Sequence, residues 1–340
     1  MFLVAGKSSL SRFFASISAS EVFLEIVHKP VLLRETLDLL SPVGEPFEKT
    51  AFMVDSTLGE GGHSEAFLSR FENLRIIGLD ADPKIQARAK ERLMPFGNRM
   101  SFHQGWFNDF YANYPDTLPK PDIILFDLGI SVFHYERSGR GFSFRYDEPL
   151  DMRLNPDAGE SVEVLVNTRS EKDLADIIYM YGEERYSRRI AAAICESRKM
   201  SRIVSSKVLA DIIYRAVPAP YRHGAIHPAT KSFQAFRIAV NHELDNIPPA
   251  LNAAFSDLKV GGKMGVITFH SLEDRIVKNI FRDYAKACIC PPEQAICTCG
   301  GKPRAELITR KPVCPGEDEV AENSPSRSAK LRVIRKLRDA

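Results

Sequence analysis

The chain reads as an α/β protein built on a doubly wound parallel sheet, with an all-helical unit inserted near its middle. Three observations predict this. Five short apolar segments, each bounded by turn residues, occupy positions 51–57, 75–82, 99–105, 121–129 and 261–270. Near-continuous apolar strands belong to parallel sheets covered on both faces. Helix-patterned stretches separate the first four segments, the alternation that builds βαβ units. The fourth and fifth are then parted by the whole interval from 130 to 260, which is too long for a structureless connection and is mostly helical in pattern.

In chain order, residues 1–27 read as a disordered extension outside the fold. Up to Ser20 they hold six serines, no acid, and only Lys7 and Arg12 as charges. Lys7 interrupts the apolar run and no clean cleavage site follows, which fits a secretory signal poorly; an organellar transit peptide is compositionally compatible. The strand at 51–57, AFMVDST, runs into the glycine-rich turn LGEGGH and a helix at 63–72. The strand at 75–82, RIIGLDAD, is followed by a helix at 83–94, PKIQARAKERLM, with apolar and basic faces. The strand at 99–105 leads to the aromatic pair of GWF, and the strand at 121–129 ends in FDLG.

The helical interval centres on 171–199 and 206–217, defining an inserted domain at 140–225 between core parts at 28–139 and 226–340. One long helix at 229–258 returns the chain to the strand at 261–270. After it come a helix at 271–285, a cysteine-rich loop and two late strand candidates, 306–313 and 331–337. The stretch 315–330 is a polar, low-complexity loop, and no internal repeat is visible.

With 340 residues, 44% of them hydrophobic and 26% charged, the composition is that of an ordinary globule with room for two domains. The net charge of +2 excludes a polycation, so any nucleic-acid affinity must come from a local basic face. No window approaches the roughly 18 apolar residues of a membrane span. Four of six cysteines crowd into one loop, unlike a secreted disulfide framework, and a cytoplasmic setting fits better.

In an open parallel sheet, ligands bind beyond the carboxyl ends of the strands. Every suggestive residue here sits at such an end. Gly59, Gly61, Gly62 and His63 follow the first strand, where glycine lets the backbone approach a ligand. Asp80 ends the second, about 20 residues on, where an acid takes ribose hydroxyls. Phe107 follows the third, placed to lie against an adenine, and Asp127 ends the fourth. Four such residues at successive strand ends predict an adenosine-bearing cofactor. NAD and S-adenosylmethionine both meet that description. The run GEGGH departs from the G-x-G-x-x-G of dinucleotide binders, and Asp55 just ahead of it suits an ammonium better than a pyrophosphate. The methyl donor is therefore favoured.

Eight segments carry a resemblance: HKPVLLRE at 28–35, DSTLGEGGHS at 55–64, FDLGIS at 126–131, GRGFSFRYDEPLDMR at 139–153, YGEERYSRRIA at 181–191, HPATKSFQAFRIAVNHEL at 227–244, TFHSLEDRIVK at 268–278 and AENSPSRSAKLRV at 321–333. Together they resemble the RsmH family, also called MraW, the cytosine-N4 methyltransferases of small-subunit ribosomal RNA. The resemblance implies a class I (Rossmann-like) S-adenosylmethionine-dependent methyltransferase core with an inserted helical domain. It implies S-adenosyl-L-methionine as cofactor and a decoding-region cytidine of 16S ribosomal RNA as substrate, within an assembled small subunit. The cofactor contacts it implies are Gly61, Gly62, His63, Asp80, Phe107, Asp127 and His134. Where many members read DLGVSSPQLD, this chain reads DLGISVFHYE, with Val132 and Phe133 in place of Ser and Pro.

Cytosine N4 is a poor nucleophile because its lone pair is delocalised into the ring. Transfer therefore asks for positioning and for an acceptor on the N4–H, not a strong base. Asp127 is the catalytic candidate, and a helix cap or a cofactor contact alone accounts for it equally well. His270 stands open as a pocket residue, while Ser271 reads as the cap of the helix SLEDRIV. Phe133, Tyr135, Phe142 and Phe144 are placed to clamp a base taken out of its stack. Arg185, Arg188, Arg189, Arg198, Lys199 and Arg202 in the insert, with Lys330, Arg332, Arg335, Lys336 and Arg338 near the end, are candidates for phosphate contact. Cys288, Cys290, Cys297 and Cys299 form C-x-C-x₆-C-x-C, tighter than the usual zinc spacing, so no metal is assigned. An NAD-linked oxidoreductase, or a non-catalytic ribosome assembly factor on the same fold, are the competing readings.

Overall fold

The computed structural model describes residues 29–42, 50–288, 290, 293–296, 298 and 301–339. The extension at 1–27, His28, Cys297 and Cys299 lie outside the described residues. Seven strands form one sheet: β1 (Ala51–Asp55), β2 (Leu74–Asp80), β3 (Met100–Gln104), β4 (Ile123–Asp127), β5 (Lys263–Thr268), β6 (Ala305–Leu307) and β7 (Lys330–Lys336), in the order β3-β2-β1-β4-β5-β7-β6. The first five are parallel, as their apolar runs predict; β7 enters antiparallel between β5 and β6. The two late segments thus pair as an antiparallel edge, completing the class I (Rossmann-like) core.

The helices are α1 (Leu33–Leu40), α2 (Gly62–Arg70), α3 (Pro83–Leu93), α4 (Phe107–Ala112), α5 (Val132–Glu136), α6 (Val162–Thr168), α7 (Glu171–Gly182), α8 (Ser187–Met200), α9 (Ser206–Ala216), α10 (Ala219–Arg222), α11 (Ala229–Asn241), α12 (Glu243–Asp257), α13 (Ser271–Tyr284) and α14 (Glu317–Glu322). Strand parity sorts the core. Val54, Ile124, Phe126 and Val266 point to one face and pack with Phe110, Phe255 and Phe281 of α4, α12 and α13. Met53, Ile76, Leu125 and Ile267 point to the other and pack with Leu40, Phe67 and Leu93 of α1–α3. Both faces are covered, so the strands are apolar throughout.

A third cluster lies among the helices between β4 and β5, built on Leu165, Ile178, Ile190, Ile213 and Phe236. Here the structure differs from the sequence reading in two linked ways. The helix expected over 229–258 is two helices, broken at His242, whose φ of 51° and ψ of 34° are left-handed. Its first half, α11, gives Phe233, Phe236 and Val240 to the helical cluster, so that packing continues past residue 225. Periodicity reveals an apolar face but not which core it meets.

Candidate functional site

Parallel registry brings the strand-end acids together. Asp55 pairs with Gly78 of β2 and Leu125 of β4, so Asp80 and Asp127 each stand two residues beyond it on the same face of the sheet. That face is the one α2 covers, and Ser64 Oγ of α2 donates to Asp55 Oδ2 at 2.6 Å. Burial pushes the Asp55 carboxyl up to about 6. Desolvation likewise pushes Asp80 up to about 7, against the pull of backbone N–H groups from Asp82 and Gly59. Asp127 is raised well above the carboxylate range, first by burial and then by the charges of Asp55 and Glu273. No lysine or arginine pairs with any of the three among the described residues.

Asp80 also fixes the loops. Its Oδ2 accepts from Gly59 N at 2.9 Å and its Oδ1 from Asp82 N at 2.8 Å, tying the first strand-end turn to the second. In that turn Gly61 has φ of 82°, and a Cβ there would sit 2.8 Å from Leu93 Cδ1; one on Gly62 would sit 2.5 Å from Pro30 Cγ. Glycine at both is a steric requirement. His63, in the first turn of α2, shares a hydrogen bond between Nε2 and Val31 O at 3.0 Å, which turns Nδ1 toward Asp127 Oδ2 at 3.6 Å. Asp127 N donates to Thr57 Oγ1 at 2.6 Å, while its buried Oδ1 has no hydrogen-bond partner among the described residues. Phe107 opens α4 beyond β3, its ring edge-on to Phe126 at 5.5 Å.

His134 enters through a residue the sequence reading passed over, Asp82. Its Oδ1 caps α3 by accepting from Lys84 N at 2.9 Å, and its Oδ2 receives both Arg140 Nη2 and His134 Nε2, the latter at 3.2 Å. Burial alone would raise the Asp82 carboxyl, but those two partners and the Arg140 charge hold it well below the usual range. Burial keeps His134 below its ordinary value, hence neutral, with Nδ1 unpartnered among the described residues. Arg140 also donates to the carbonyls of Arg153 and Leu154, so one acid ties the strand-end loops to the segment entering the helical unit. The D-x-D spacing of Asp80 and Asp82 was the available signal.

Other expectations resolve individually. Ser271 is not the cap of α13: the capping position falls to His270, whose N–H donates to Glu273 Oε2 at 3.3 Å, and Ser271 Oγ donates instead to Glu183 Oε2 at 2.7 Å. His270 Nε2 lies 3.0 Å from Glu273 Oε1, with Glu243 close by. Both Glu243 oxygens are taken by the Arg237 fork at 2.9 and 2.8 Å, so the group reads as an ion-pair network, and Arg237 Nη1 donates to Tyr135 Oη at 2.8 Å. Phe142 is buried against His134, and Phe144 packs on His227 and Phe233. Phe133 stacks under Arg88 and lines a cleft of about 280 Å³ beside Glu60 and Lys29. Arg332 and Lys336 turn inward, to Asp274 and to the carbonyls of Ser256 and Leu258, and cannot face RNA. Cys288 and Cys290 are described, without the other two cysteines of the motif.

The donor set fits a cationic nucleoside. Three desolvated carboxyls with no lysine or arginine partner among the described residues favour a ligand bearing positive charge, and S-adenosylmethionine carries a sulfonium and an ammonium. The pyrophosphate of a dinucleotide would add negative charge to the same spot. No helix among the described residues is long and apolar enough to cross a membrane.

Residues 25–337 match the MraW methylase family. The chain is 57% identical to ribosomal RNA small subunit methyltransferase H of Treponema denticola, covering 92% of this chain and 98% of that one. It is 45% identical to the protein of the same name from Carboxydothermus hydrogenoformans, with 92% and 99% covered. Among solved structures, a putative methyltransferase from Streptococcus mutans in complex with SAH aligns at a TM-score of 0.41 and 11% identity, over 90% of this chain and 97% of that one.

Proposed function

The chain belongs to the MraW methylase family, and on that premise we propose that it transfers a methyl group from S-adenosylmethionine to the exocyclic N4 of a cytidine in the decoding region of 16S ribosomal RNA. Methylation of small-subunit ribosomal RNA is the activity its relatives are named for. The finer assignment, and action on the assembled small subunit in the cytoplasm, are our reading. The observation that carries it is the cluster of Asp55, Asp80 and Asp127, three desolvated carboxyls at the tips of adjacent strands with no lysine or arginine partner among the described residues.

Bound S-adenosylmethionine supplies an electrophilic methyl on a sulfonium, with a neutral thioether as leaving group. In this reading Asp80 accepts from the ribose hydroxyls with lone pairs its backbone donors leave free, and Phe107 lies against the adenine. Gly61 and Gly62 let the backbone approach, while His63 and His134 close the sides. The unpartnered Oδ1 of Asp127 accepts a hydrogen bond from the target amine. This draws the nitrogen toward tetrahedral geometry and bares its lone pair, and the proton, acidic once the bond to carbon forms, passes to the Asp127 carboxylate and from there to water. Orientation supplies most of the acceleration. The helical unit presents the RNA.

Labelled S-adenosylmethionine, purified protein and small subunits from cells lacking the mark test this, with mass mapping of methylated cytidines. One N4-methylated cytidine in 16S ribosomal RNA is expected, and Asp127→Asn should lower kcat by about 10²-fold. No incorporation by the unaltered protein would leave the assembly-factor reading standing. Calorimetry showing NAD binding and no S-adenosylmethionine binding would leave the oxidoreductase.

A further inference from the structure

Two sets of cations stand out in the helical unit. At one end four are neutralised: Lys172 pairs with Asp176 at 3.0 Å, Lys199 with Glu196 at 2.7 Å, Arg202 with Glu163 at 2.7 Å, and Arg169 with Glu160; beside them Arg198 donates to the carbonyl of Val166, and Lys207 forms no ion pair among the described residues. At the other end, Arg185, Arg188, Arg189 and Arg222 form no ion pair among the described residues, although the first three are exposed. Two of these unpaired guanidiniums are held in place by something other than acid. Arg185 lies over two rings at once, 4.8 Å from the centroid of Tyr186 and 5.0 Å from that of Tyr221. Arg222 lies 5.3 Å over Tyr214 and donates to the carbonyls of Val217 and Arg215 at 3.1 and 2.9 Å. Beneath Arg185, the buried Glu184 fixes the Tyr221 ring by accepting from its hydroxyl at 2.6 Å.

Helix stability does not account for this arrangement. Arg188 and Arg189 sit in the first turn of α8, where the helix dipole disfavours cations. A guanidinium stacked on an aromatic ring is pre-oriented and weakly hydrated, with its donors free for a second partner. The face also adjoins the site. Glu183, at the end of α7, receives Ser271 and Arg275 from the start of α13, where β5 ends. Tyr214 stacks on His227, which stacks on Phe144 of the segment following β4.

We infer that the face formed by Arg185, Arg188, Arg189 and Arg222 is the track for an unpaired strand of the substrate RNA, its phosphates taken by the guanidiniums, while the neutralised end of the helical unit stays off the RNA. This rests on the ribosomal RNA methyltransferase reading and adds to it which surface carries the strand. Phosphate contacts are read by salt dependence, since each releases condensed counterions and steepens the fall of log K against log salt by about 0.7 on a single strand.

The test compares R185Q/R188Q/R189Q and R222Q with R169Q/K172Q at the neutralised end, in binding of 16S ribosomal RNA transcripts over a range of salt. S-adenosylmethionine affinity is measured by calorimetry on the same samples. The first two variants should flatten the slope by about 0.7 per arginine removed and raise KM for RNA, with cofactor affinity unchanged. The Lys versions, R185K/R188K/R189K, should restore the slope, which separates charge from folding. The control pair should match the unaltered protein. An unchanged slope in the Gln variants, or an equal loss in the control pair, overturns the inference. If the unaltered protein binds cofactor but neither binds the transcripts nor methylates small subunits lacking the mark, the functional reading itself has failed, and the inference falls with it.

Discussion

Asp55, Asp80 and Asp127 are carboxyls taken out of water, and their ionisation records it. Free carboxyls titrate near 4, whereas Asp55 is pushed up to about 6 and Asp80 to about 7, chiefly by burial. Between those values the folded, donor-free protein holds protons that the unfolded chain has released. Its stability therefore falls as pH rises from about 4 to about 7. A cationic donor prefers the ionised carboxyls, so its affinity should rise over the same window. Thermal melts at pH 5 and pH 8, with and without S-adenosylmethionine, should show a larger donor-induced rise in Tm at pH 8. An equal rise at both would mean that the carboxyls do not face the donor's charge. Asp82, held well below the usual range by His134 and Arg140, stays ionised in the fold throughout, and its own stabilisation is lost only in acid, as pH falls through the ordinary carboxylate range and below.

Among the elements, the junction of α11 and α12 carries backbone strain. His242 adopts φ of 51° with an exposed side chain, so a β-carbon stands in a left-handed turn with only a loose contact to Asp245 at 3.7 Å in return. Replacing it with glycine removes that steric penalty but frees the unfolded chain. The balance should stabilise the protein by about 1 kcal/mol or less, read as a rise in Tm. A fall would show that the histidine makes a contact worth more than its strain. The turn matters to the site because it sets the angle at which Glu243 of α12 meets Arg237 of α11, and Arg237 in turn holds Tyr135.

At the scale of the molecule, two cores share one chain. The sheet is packed on both faces by the helices nearest it, while Phe236, fully buried, closes a separate cluster with Leu165, Ile178, Ile190 and Ile213. If these cores open independently, Phe236→Ala should cost the helical unit about 3–5 kcal/mol. Amide exchange should then quicken in α7–α9 and stay slow in β1, β2 and β4. Uniform quickening would mean that the two cores unfold as one.

The strands, the glycine turn and the acids at the strand tips were legible in the sequence because each is a local pattern. An apolar run, a residue type that tolerates positive φ and an acid at the end of a run are all written in adjacent letters. The family motifs carried the proposed site residues for the same reason, being contiguous. Tertiary structure decided what depends on distant partners. It gave α11 to the helical core, turned β7 antiparallel into the sheet, and moved the cap of α13 from Ser271 to His270. It made Asp82 the anchor of His134 and Arg140, and divided the basic residues into neutralised and unpaired ends. Periodicity along a chain shows that a residue has a buried face or a charge, but only the packed molecule determines which neighbour lies opposite it, and burial and pairing are properties of that neighbour as much as of the residue.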